Sequence, residues 1–293
     1  LLLRLSTSPG EPVPPLELRA SFTQAMAAIL RRAPAAIEQA PGLFGDSPPA
    51  FTASVVEAVA RCEGRRATEI LAQFLGRVPG VDGLLLARLG QRGRYSGRGE
   101  EFVFDALRRY FQQNDPALVA AAVRASAELG DDGAVEPLIE LLEHRDERVR
   151  ASSFGALTTL SGLDFGADVA RWTSWYHAEM QWWEHEADGR LVRIERAHGR
   201  EYVRAAREVL EHRLYRDRLA ESFAQALARS DADEVLLACR ALGELRSAAA
   251  IPALVECLQR DDPRLRAAAL AALRAITGAE LEAESELLAR FAG

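Results

Sequence analysis

Gly133-Ala134-Val135-Glu136-Pro137-Leu138, then Leu141-Leu142, then Asp146-Glu147-Arg148-Val149-Arg150, is the stretch on which the fold turns. It places an apolar stripe of Val135, Leu138, Leu141 and Leu142 at helical spacing, a polar turn, and a second stripe of Val149, Ser153, Ala156, Leu157 and Leu160. The pattern recurs. Residues 117–162 align without a gap on 233–278, a shift of 116 positions. Leu129, Leu138, Glu140, Leu142, Asp146, Arg148, Arg150, Ala151, Leu157 and Gly162 fall on Leu245, Leu254, Glu256, Leu258, Asp262, Arg264, Arg266, Ala267, Leu273 and Gly278. Register kept over two helices and their turn marks a repeated structural unit. One such hairpin cannot bury both faces alone, so its core is completed by stacking on neighbours. The predicted fold is therefore all-α: an α-solenoid, or superhelix, of stacked antiparallel helical hairpins.

The same rhythm extends outward. Helices are predicted over 16–32, 34–40, 50–63, 65–77, 80–91, 100–113, 116–129, 133–144, 147–161, 167–187, 200–213, 216–229, 232–245, 248–260, 263–277 and 280–291, joined by short breakers. Asp115-Pro116 and Asp262-Pro263 each set an acceptor before a proline at the first helical position. Three stretches follow. Residues 1–15, with Glu11-Pro12-Val13-Pro14-Pro15, read as an extended leader. Residues 16–95 read as degenerate helical repeats, and 96–293 as regular repeats with a Trp-rich helical segment, 163–232, between the two copies. Because the chain begins at Leu1 rather than at Met, an upstream segment is expected to have been removed or not supplied.

Composition narrows the chemistry. Hydrophobic residues make up 48% of the 293, ample for a core, and aromatics only 7%. The net charge of −7 disfavours a general nucleic-acid or membrane binder. All 36 basic residues are Arg. Without Lys there is no Walker-type or protein-kinase lysine and no Schiff base to pyridoxal phosphate. Cys62, Cys239 and Cys257 show no C-x-x-C pairing, which reads as free thiols in a reducing compartment. With no membrane-length apolar run, a soluble, cytoplasmic chain is expected.

The run from Gly133 to Leu157 resembles a HEAT repeat, of the bacterial kind whose profile is shared with phycobilisome-lyase HEAT-like repeats. Residues 233–278, with Ala250-Ile251-Pro252-Ala253-Leu254, resemble it more closely. The continuation Leu160-Ser161-Gly162-Leu163-Asp164-Phe165-Gly166, then Trp172 and Trp175, is similar to repeat endings in bacterial HEAT proteins. The resemblance implies that a basic residue of each second helix pairs with the turn Asp of a neighbouring repeat.

Candidate functional residues are few. Arg148, Arg150, Arg264 and Arg266 flank the apolar stripes; they either ladder between repeats or line a concave row that meets an acidic partner. Trp172, Trp175, Tyr176, Trp182 and Trp183 share a stripe about 120° wide with Glu179 and Glu186. That stripe is either an aromatic surface that grips a peptide or base, with Trp172 and Trp175 as anchors, or an oversized core helix sealing the junction between the repeat blocks. Beside rings, Glu179 is expected to pair with an Arg. His177 and His185 fall on the opposite face, too far apart for an i, i+4 metal pair, while His144, His198 and His212 stand alone. Gly90 to Gly99, basic and Gly-rich, reads either as an Arg/Gly segment that contacts phosphates or as a flexible connector between the degenerate and regular repeats. No catalytic residue, cofactor or metal site is expected. The expected function is a non-catalytic scaffold binding a protein partner through its concave surface. Two alternatives stay open: a HEAT-like DNA glycosylase, with Trp172, Trp175 and Glu179 as suitable residue types, and a lyase-like or chaperone-like partner of a cofactor-bearing protein.

Overall fold

The structure, a computed structural model, describes residues 16–33, 35–38, 49–62, 64–95 and 100–278. The leader over 1–15, the helix over 280–291 and Ser96 to Gly99 of the basic stretch lie outside the described residues. Among those described there are fifteen α-helices and no strand, and no helix is long and apolar enough to cross a membrane. The chain divides into two compact units, the first ending at Val169 and the second starting at Ala170.

In the first unit the helices are α1 (Leu16–Arg32), α2 (Pro49–Ala60), α3 (Arg65–Gln73), α4 (Asp82–Leu89), α5 (Glu100–Arg108), α6 (Pro116–Leu129), α7 (Val135–Leu141) and α8 (Glu147–Ser161). Helices α2, α4, α6 and α8 lie side by side in one layer; α3 and α5 pack together in a second, and α7 closes a hairpin on α8. The second unit holds α9 (Val169–His185), α10 (Ala187–Arg196), α11 (Gly199–Leu210), α12 (Arg216–Ala226), α13 (Ala232–Leu245), α14 (Ile251–Cys257) and α15 (Pro263–Thr277). There α11, α13 and α15 form one layer, and α10 and α12 the other, with α12 against the 3-10 turn that leads into α14. Both units are stacks of antiparallel hairpins.

Local chemistry explains the boundaries. Asp115, Asp146, Asp231 and Asp262 each cap a helix, the carboxylate accepting from the amide two residues on. Gly130, Gly162 and Gly278 end α6, α8 and α15 in the left-handed conformation. Where α13 ends, the repeat equivalent of Gly130 is Arg246, left-handed at φ 52° without glycine's freedom. Helices α13 and α15 approach so closely that a Cβ on Gly243 would stand 3.2 Å from the Cα of Ala272. Val135, Leu138, Leu142, Val149, Ala156, Leu157 and Leu160 are buried, as are Leu254, Leu258, Leu265, Ala269, Ala272 and Leu273 in the copy. Leu142→Ala or Leu258→Ala is expected to lower stability by about 2–3 kcal/mol through an unfilled cavity, measurable by urea unfolding. A change below about 1 kcal/mol would mean that the hairpin closes over the gap.

Four expectations change. The reading that left residues 188–199 without a helix is corrected by α10, whose Asp188-Gly189 start looks like a turn and whose buried face is only Ala187, Leu191 and Ile194. The helix over 34–40 is a 3-10 turn at 35–38 in its described part. Helices over 133–144 and 248–260 each split into a 3-10 turn and a seven-residue α-helix.

Candidate partner-binding site

The four flanking arginines sort into two pairs. Arg148 donates Nε and Nη2 to Asp146, the cap of its own helix, at 3.3 and 3.2 Å. Arg264 does the same to Asp262 at 3.3 and 2.9 Å. The hydrogen bond from each arginine holds its cap carboxyl below the ordinary aspartate range. Both side chains remain largely exposed. Arg150 donates to the carbonyls of His144 and Arg145, and Arg266 to those of Arg260 and Asp261. The ladder to a neighbouring repeat, implied by resemblance, is thus replaced by contacts inside each hairpin. The reason is reach: the turn that caps the second helix lies only two to six residues away.

The aromatic stripe of α9 is mostly core. Trp172 is fully buried, packed edge-on against the half-buried Trp175 at 5.8 Å. Trp172 therefore cannot serve as the partner-binding or base-stacking anchor suggested for it. Trp182 and Trp183 are buried too, and Trp182 stacks on His212 at 3.5 Å between centroids. Glu179 does not pair with an Arg. Its carboxylate faces the loop between α11 and α12, accepting from the amides of Arg213 and Leu214 at 2.7 and 3.0 Å and lying 3.0 Å from His212 Nδ1. Burial pushes the Glu179 carboxyl up, but His212 and the two amides outweigh it and hold it below the ordinary carboxylate range. His212 is therefore not isolated. Nor is His198, whose Nδ1 lies 3.2 Å from the buried Glu234. His144 accepts from the Asp146 amide. His177 and His185 are exposed. Among the described residues no three His, Cys, Asp or Glu are grouped to hold a metal ion.

A feature the sequence reading missed lies on the α11–α13–α15 layer. Between α13 and α15 runs an open groove of about 980 Å³. Gly243, Ala267, Ala268, Ala271, Ala272 and Ala275 make its floor. Arg213, Arg240, Arg246 and Arg264 line it, against one carboxylate, Glu244. All four arginines are exposed. The signal was present in the repeat: Arg124 and Arg240 are equivalent, as are Glu128 and Glu244. What the alignment could not supply was their convergence with Arg213 and Arg246 on one groove.

Stacked hairpins, shared caps and a groove along one helical layer define a class of protein, the helical-repeat scaffold. The model for HEAT repeats matches residues 86–161 and 220–292, just over half of the chain, and the chain belongs to that family. No curated protein matches it in sequence. Among solved structures it is similar to the CpcE–CpcF complex of phycocyanin lyase from Nostoc sp. PCC7120, at 14% identity over 97% of each chain, with TM-score 0.40. It is also similar to human deoxyhypusine hydroxylase in complex with glycerol, at 16% identity over 94% of this chain and 91% of that one, with TM-score 0.33. A designed armadillo repeat protein aligns at 16% identity over 94% of this chain and 98% of that one, with TM-score 0.26.

Proposed function

We propose that this protein is a non-catalytic HEAT-repeat scaffold that binds a protein partner on the exposed face of α11, α13 and α15. One observation carries the reading: that layer presents a cationic groove over a floor of alanines, in a chain whose net charge is −7. Small floor residues let a partner's backbone come close, and exposed guanidinium forks supply directional hydrogen bonds to its carboxylates. Arg264 belongs to this face, and Arg148 is its counterpart in the first unit.

Affinity capture from the native organism, comparing the wild-type chain with Arg240→Glu/Arg264→Glu, tests the reading. The expected result is a set of proteins retained by the wild type and lost by the variant, with Tm lowered by no more than about 5 °C, because Arg240 is exposed and the Arg264–Asp262 pair that is lost lies at the surface. Identical capture by the two chains would refute the proposal.

A further inference from the structure

We infer that the groove between α13 and α15 receives an acidic helical segment of the partner protein, whose carboxylates are held by Arg213, Arg240 and Arg246; this rests on the scaffold reading above. The two copies of the repeat provide an internal comparison. In the first unit Arg124 donates to the Ser152 hydroxyl at 3.2 Å. In the second unit the residue equivalent to Ser152 is Ala268, and Arg240, equivalent to Arg124, has no hydrogen-bond or ion-pair acceptor among the described residues. The second departure is at the helix end. Gly130 closes α6 in the left-handed conformation that glycine adopts at little cost, whereas α13 is closed by Arg246 at φ 52°. A longer side chain is thus carried where glycine would fit the backbone better, and its guanidinium also finds no acceptor among the described residues. Each departure places one more free cation on the same groove. Backbone strain that brings no internal contact in return points to a contact made with something else.

The shape of the floor selects the occupant. Ala267, Ala268, Ala271, Ala272 and Ala275 fall on one face of α15 and span about 12 Å at 1.5 Å per residue, or two turns of a helix laid alongside. Gly243 and the alanines keep that trough shallow and apolar, suited to the small aliphatic face of a helix. The arginines at its edge supply guanidinium forks for carboxylates on that helix's flank. Glu244 and the overall charge of −7 disfavour a continuous polyanion such as a nucleic acid.

The test uses the full chain and a fluorescein-labelled peptide of four Glu-Ala-Leu-Ala repeats, followed by fluorescence anisotropy at low ionic strength. The same peptide with Gln for Glu and a labelled oligothymidylate are the controls. The Glu peptide is expected to bind, the Gln peptide not to, and added salt to weaken the complex. Arg240→Gln and Arg246→Gly are each expected to weaken binding by about 10-fold or more. Arg246→Gly is expected to leave Tm unchanged or raised, which separates lost binding from lost folding. Ala268→Ser, which restores a hydroxyl beside Arg240 without removing charge, is expected to weaken binding several-fold. No binding of the Glu peptide overturns the inference, as does equal affinity for all variants. Tighter, variant-sensitive binding of the oligothymidylate overturns it in favour of a nucleic acid. A gain in peptide affinity when Glu280, Glu282, Glu284 and Glu286 are changed together to Gln overturns it in favour of the chain's own C-terminal stretch. If the wild-type chain captures partners that Arg240→Glu/Arg264→Glu loses, yet binds no Glu peptide, this inference fails and the scaffold reading stands.

Discussion

Glu179→Ala is expected to destabilise the protein by about 3–5 kcal/mol, measured by urea unfolding. Glu179 is only 4% exposed and is the sole acceptor described for the amides of Arg213 and Leu214. Truncation leaves those two donors and the His212 ring facing a cavity beside Trp182, and each buried donor left unsatisfied costs about 1–3 kcal/mol. The loop it holds runs into Tyr215, left-handed at φ 51°, a conformation kept only while its surroundings fix it. Glu179→Gln keeps the volume and one acceptor oxygen, so its cost should be smaller, about 1–2 kcal/mol. The pH dependence has a definite sign. A carboxyl held below its unfolded value, near 4.3 for Glu, contributes stability that is present above that value and is lost as pH falls through the folded one. Glu234 is shifted in the same direction: burial raises its carboxyl, and the Gly199 amide, Arg229 and His198 outweigh that. Tm should therefore fall as pH drops below about 4.5, and less steeply in Glu179→Gln. Equal slopes in both proteins would place the acid sensitivity elsewhere.

Helices α6, α8, α13 and α15 have the boundaries read from the sequence because their signals are local. An Asp or Asp-Pro starts each one, a left-handed residue ends each one, and the apolar stripe between has a single period. Helix α10 was not legible for the converse reason. Charged at half of its positions, with a glycine near its start, it is helical because Ala187, Leu191 and Ile194 pack into the second unit's core. Tertiary burial overrides a weak local pattern there. The site divides along the same line. That Trp182 and Trp183 share a face with Glu179 followed from helical spacing, but the partner of Glu179 did not. His212 is 33 residues away and arrives through a loop whose path no periodicity encodes. The flanking arginines were legible as repeat positions, yet their partners lie within their own hairpins. The free cations of the groove came from the places where the two copies differ, at Ser152 against Ala268 and Gly130 against Arg246. Shared positions describe the scaffold; departures from the repeat describe what one unit adds to it.

Arg229→Ala is the second large effect expected, about 3–5 kcal/mol, because one side chain closes the end of a helix and neutralises a buried carboxylate at once. Its Nη2 donates to the carbonyls of Ile194 and Glu195 at 2.8 and 2.7 Å, and its Nη1 to that of Ala197 at 2.9 Å. These are carbonyls that the end of α10 leaves without partners in the helix. The same Nη1 meets Glu234 at 2.8 Å, and the guanidinium lies over the Tyr202 ring at 4.6 Å. Glu234, 3% exposed, in turn receives the Gly199 amide that starts α11. Alanine would leave a buried carboxylate without its guanidinium and three carbonyls without donors, loosening the connection from α10 to α11. Arg229→Lys tests geometry against charge. A lysine ammonium keeps the charge but lacks the planar fork that spans three carbonyls and a carboxylate, so it should recover less than half of the loss. Arg229→Ala/Glu234→Ala should cost less than the sum of the single changes, since the second removes the carboxylate that the first strands. Additive costs in that cycle would show that Arg229 acts on the α10 carbonyls alone and that Glu234 is held by Gly199 and His198 without it.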